Sequence, residues 1–156
     1  MPSGPISSFK SLVEYLRSLS LSHLQVKQFT FGQESDLDVE SNKQHPTKYP
    51  LVGLVPTRAD FDEGGAIEFS FTLSVQDISV NDLDIEEDTL NTTFMILQDL
   101  LSRIRQTTWA EVDVAVELPI ACYPFVEARN NNLCGWSATV VFIVNNPFNN
   151  CAFPEK

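Results

Sequence analysis

The segment Asp88 to Gln106 constrains the fold more than any other part of the chain, because its apolar spacing, its ends and its length agree on one structure. Leu90, Phe94, Leu97, Leu101 and Ile104 recur at steps of four, three, four and three, and Ile96 and Leu100 widen the stripe. That spacing is one face of a helix, and it needs a surface to cover it. Glu86, Glu87 and Asp88 sit at the start while Arg103 and Arg105 fall in the last turn, so both ends complement the helix dipole.

A partner surface stands upstream. In Ala66 to Gln76, the residues Ile67, Phe69, Phe71, Leu73 and Val75 alternate without a break with Glu68, Ser70, Thr72, Ser74 and Gln76. Period two means a strand with one core face and one polar face. The helical stripe laid on the Phe69/Phe71 face is the expected centre of the core, where truncating Phe94 or Leu97 to alanine should cost about 3 kcal/mol.

The remaining elements are read around that pair. Ile6 to Leu21 places Phe9, Leu12, Val13, Leu16 and Leu19 on one helical face, with Ser7 or Ser8 available as N-cap. Leu24 to Phe31 reads as a short edge strand. Pro50 to Pro56 is an apolar run compatible with a strand buried on both faces, and Asp62-Glu63-Gly64-Gly65 carries turn chemistry. Val112, Val114, Val116 and Leu118 alternate with polar or small residues, 120–128 continues extended across Pro124, and 136–144 ends so apolar that a strand covered on both sides is expected. The fold class is therefore α+β, one mostly antiparallel twisted sheet packed on two helices. A single domain spans 1–156, with a long polar loop at 32–49 and loose or docking tails at 1–5 and 145–156.

Charge excludes some partners. The formal net charge is −11, which opposes gripping of phosphate backbones or anionic lipid. Thirteen of the 21 acidic residues lie in three runs, Glu34 to Glu40, Asp60 to Glu63 and Asp77 to Asp88, between the hydrophobic segments. They read as solvated loops, or as an acidic surface past which DNA moves without sticking. No stretch of 18 apolar residues and no leader pattern occurs, so neither membrane spanning nor export is expected. Cys122, Cys134 and Cys151 lack metal-ligand spacing and are odd in number, which suits reduced intracellular thiols.

Sequence-readable catalytic devices are missing: there is no glycine-rich phosphate loop, G-x-S-x-G or H-E-x-x-H. His23 ends the first helix and His45 sits in the polar loop, neither with a local nucleophile. Asp82-Leu83-Asp84-Ile85-Glu86 suggests a calcium loop, yet Glu87 stands where glycine makes the turn and Thr93 where the last carboxylate ligand belongs. No cofactor, metal or enzymatic activity is expected. Trp136 reads as a core aromatic opening a strand, or as part of a contact surface. Arg129 with Asn130 and Asn132 is a capped turn, or an interface in which the guanidinium forks onto a carboxylate.

The run FVEARNNNLCGW over 125–136, followed by an apolar strand and an Asn-Asn-Pro-Phe ending, resembles the tail-terminator, tail-completion and neck proteins of tailed bacteriophages. The resemblance implies a ring-forming α+β structural protein of the virion, assembled in the host cytoplasm. Its copies form a ring, often a hexamer, that caps the tail tube, joins it to the head through neck or head-completion proteins, and lets DNA pass only through its lumen. The subunit interface is then expected at Arg129, Asn130, Asn132 and Trp136 and, from the polar loop, at Glu34, Asp36, Asp38 and Glu40. Two alternatives stay open: a head-completion or neck adaptor ring binding the portal side, and a small soluble enzyme or ligand-binding domain.

Overall fold

The computed structural model describes residues 8–32, 47–79, 83–106, 114–127 and 133–145. Elements follow in the order α1 (Phe9–Ser22), β1 (Gln28–Phe31), β2 (Leu51–Phe61), β3 (Ala66–Ile78), α2 (Leu83–Gln106), β4 (Val114–Val116), β5 (Cys122–Glu127) and β6 (Leu133–Asn145). The six strands form one sheet in the order β1-β2-β3-β6-β4, with β5 pairing beside β4 along the same strand β6. All pairings are antiparallel except β1 with β2, which is parallel. The fold is α+β, a mostly antiparallel sheet with two helices.

The sheet is built around β3 and β6, two 13-residue strands paired from Ala66↔Asn145 to Ile78↔Leu133. Register decides which side chains share a face. Val52 and Leu54, then Phe71, Leu73 and Val75, then Ala138, Val140, Phe142 and Val144 all point the same way. They form one cluster with Leu12, Leu16 and Leu19 of α1 and Ile96, Leu97, Leu100 and Ile104 of α2. Both helices therefore lie on one side of the sheet, and burial of these side chains supplies the main favourable term in folding.

Helix α1 begins with a reciprocal cap: Ser8 Oγ accepts from the Ser11 amide at 3.2 Å and Ser11 Oγ accepts from the Ser8 amide at 3.0 Å. That satisfies two amide donors at the helix start. The serines that weaken its propensity bond backward, Ser20 to the Leu16 carbonyl and Ser22 to the Leu19 carbonyl. Arg17 pairs with Glu14 and lies 5.4 Å over the Phe29 ring, fastening α1 to β1.

Several expectations need correction. Helix α2 starts at Leu83, not at Asp88; Ile85, Glu87 and Asp88 are exposed, so these positions add nothing to the apolar stripe that marks the rest of the helix. The buried stripe is also rotated. Thr93, Ile96, Leu97, Leu100 and Ile104 are buried, whereas Phe94 is 37% exposed and Leu90 and Leu101 are half-buried. On β3, Phe71 is buried but Phe69 only half so. Strand β1 is shorter than 24–31, and β2 runs on through Pro56 to Phe61. Register shifts between Pro56 and Arg58, so the proline occupies a bulge where no ladder donor is needed. There Thr57 donates its hydroxyl to the Ser70 carbonyl at 3.1 Å.

The two faces of β3 are not simply core and polar, since Ser74 and Gln76 are buried at 9% and 3% exposure. Nor is β6 covered on both sides. Its Thr139 is exposed and Val141 and Ile143 are half-buried on the face away from the helices. Turn 62–65 is as expected: the Ala66 amide donates to Asp62 Oδ1 at 2.8 Å, and Gly65 takes a φ of 86° that a side chain would resist.

Candidate interaction surface

Of the expected interface residues, Glu34, Asp36, Asp38, Glu40, Arg129, Asn130 and Asn132 lie outside the described residues, as do His45, Cys151 and most of the 32–49 loop. Trp136 is within them. It sits half-buried near the start of β6, opposite Val75 of β3 and Pro124 of β5. Its indole Nε1–H donates to the Leu90 carbonyl of α2 at 3.0 Å, and its ring meets Phe94 edge-on with centroids 5.0 Å apart. Trp136 thus ties strand to helix and also walls a surface cleft. The position before it is sterically demanding. A Cβ on Gly135 would stand 1.9 Å from the Val75 carbonyl oxygen, so only glycine lets β6 approach β3 there.

The cleft beside Trp136 has a volume of about 400 Å³ and is walled by Glu87, Asp88, Leu90, Asn91 and Phe94. Past Phe94 the same side of α2 opens into a groove of about 190 Å³ against the β4–β5 connection. Leu97, Leu101, Leu118, Ile120 and Cys122 form its apolar walls and Arg105 stands on its rim. Leu118 is 55% exposed and, on the adjoining strand β5, Tyr123 is 61% exposed. The flank of α2 thus carries acid at one end, apolar surface in the middle and a guanidinium at the other end. Sequence reasoning missed it, since Phe94 and Leu101 look like core residues in a helical stripe, and the strand side of the groove is 12 or more residues away in the chain.

A third cleft, of about 360 Å³, separates the end of α1 from α2. His23 caps α1 there, with Nε2 3.2 Å from Asp99 Oδ2. Its Nδ1 accepts from the Gln25 amide at 3.2 Å, which assigns the proton to Nε2 and makes the imidazole the donor to Asp99. A serine activated by histidine needs the ring nitrogen opposite the carboxylate, and here a backbone amide occupies it. The contact fastens the end of α1 to α2 at the surface, with Asp99 largely exposed.

The thiols are similarly quiet. Burial pushes both Cys122 and Cys134 above the ordinary thiol range, and the carboxylates of Glu86 and Asp77 add to the effect at Cys134, against a hydrogen bond with Ser79. A thiol held protonated is a poor nucleophile and metal ligand. Burial also raises Asp77, against a lowering bond from the Ile78 amide. Among the described residues no three or more His, Cys, Asp or Glu side chains converge as a metal site. Chain that could have looped around calcium is helical from Leu83 onward. No described helix is long and apolar enough to cross a membrane. No known protein family matches the sequence, and no characterised protein matches it significantly.

Proposed function

We propose that this chain is a structural protein of a tailed-phage virion, a ring-forming subunit that caps the tail tube and joins it to the head. The observation that carries the reading is the one-sided architecture. Both helices cover the same face of the sheet, while on the opposite face Thr139 is exposed and Val141 and Ile143 are half-buried, and the β5 edge pairs with no further strand among the described residues. A subunit of that shape has surface left for neighbours on each side, as heterologous ring contacts require. The FVEARNNNLCGW resemblance supplies the biological setting. The acidic balance suits a lumen through which DNA passes without adhering.

Imaging of particles assembled without the protein tests the reading. Overlong tails are expected for a tail terminator. Tailless heads would instead support the head-completion or neck adaptor, which pull-down against the portal-side proteins would then show directly. Normal, infectious particles would overturn both. His23 favours the structural reading over an enzyme, because its ring is engaged on both nitrogens in joining two helices.

A further inference from the structure

The flank of α2 carries an acid at one end and a guanidinium at the other, and the two are too far apart to pair with each other. Glu87, Asn91, Phe94, Gln98, Leu101 and Arg105 follow one another at steps of four, three, four, three and four, and all six line the two clefts that meet at Phe94. Alternating three and four is the spacing of a helix seam that packs on another helix. Neither Glu87 nor Arg105 has an ion-pair partner among the described residues. Eighteen residues separate them, about 27 Å along a rigid helix, so they cannot meet within the chain.

We propose that this flank is a self-complementary surface on which two copies of the chain pair about a two-fold axis, α2 running antiparallel to α2. Charge chooses the direction. A parallel pair would set Glu87 beside Glu87 and Arg105 beside Arg105, whereas the antiparallel pair sets Glu87 against Arg105 of the second copy, twice. With the axis midway between those positions, Asn91 faces Leu101 and Phe94 faces Gln98 of the second copy. The half-exposed rings and aliphatic side chains of Phe94, Leu101 and Leu118 are covered in the same contact. An isologous contact satisfies the same patch on both subunits, and it is separate from the heterologous contacts that close a ring. The proposal does not depend on the proposed function: it would join two copies, or two rings face to face.

Sedimentation equilibrium and native mass spectrometry of the full chain at low salt provide the test. The wild type is expected to form a reversible dimer, or an assembly of even number, that weakens as salt is added. Glu87→Arg and Arg105→Glu should each weaken pairing by about tenfold or more, since every reversal acts at two symmetry-related sites. The double variant, Glu87→Arg with Arg105→Glu, should recover most of the wild-type affinity. Circular dichroism establishes that each variant is folded, as expected for exposed positions. A monomeric wild type at high concentration, folded single variants that pair like the wild type, or a double variant as weak as the singles would each overturn the two-fold contact. A ring that persists unchanged in both single variants would overturn it while leaving the proposed function standing.

Discussion

The two faces of the sheet share one backbone and have opposite fates. On the helix side, Val52, Leu73, Val75, Val140 and Phe142 are sealed beneath α1 and α2. On the other side burial changes along the strands. Leu51, Ser74 and Gln76 are buried at one end, while Thr139 is exposed and Val141 and Ile143 half-buried further along. Alternation in a strand states only that the two faces differ; what packs on each face decides how much each is worth.

The sheet is most vulnerable where its two central strands touch. Gly135→Ala forces a methyl into the Val75 carbonyl, and a loss of about 4 kcal/mol or outright failure to fold is expected in urea denaturation. Within α2 the covered and uncovered flanks should separate. Leu97→Ala, at a fully buried position, should cost about 3 kcal/mol. At dilutions where the chain is monomeric, Phe94→Ala should cost about 1 kcal/mol, because it removes only a partly exposed ring and its contact with Trp136. Equal costs would mean that the flank is covered in solution.

Trp136→Phe keeps a ring but removes the donor to the Leu90 carbonyl, so thermal denaturation should register a loss of about 1 kcal/mol. A smaller effect, of opposite sign, is expected at Asp77. Its folded-state pKa lies above the ordinary 3.8 through burial, so its favourable contribution is fully present below the unfolded value and is lost as pH rises through the folded one. Asp77→Asn should therefore stabilise the protein at neutral pH, and the gain should shrink to nothing in acid, as paired urea titrations would read. The smallest effect belongs to the open face, where Thr139→Lys should change stability by under about 0.5 kcal/mol. A large loss there would mean that the face is occupied.

Legibility followed the range of the forces. The second helix, the Ala66 strand and the Asp62 turn could be read because period, dipole complement and turn chemistry are local. The start of α2 could not, because Ile85, Glu87 and Asp88 are exposed and extend no apolar period. The parallel pairing of β1 with β2 and the sharing of β6 by β4 and β5 were equally invisible, since strand partners are chosen across long chain separations. Of the interface residues singled out in the sequence, Trp136 alone falls among the described residues. Its hydrogen bond to α2 depends on how helix and strand meet, which no local pattern encodes.

What the sequence determined by itself is the set of elements and their amphipathic character, because side-chain spacing along a helix or strand is a property of the backbone. The tertiary structure decided which apolar residues became core and which became surface. Phe94 and Leu97 belong to the same stripe, yet only Leu97 meets the sheet squarely, because a flat sheet face covers the centre of a helical stripe and leaves its flank to solvent or to another chain.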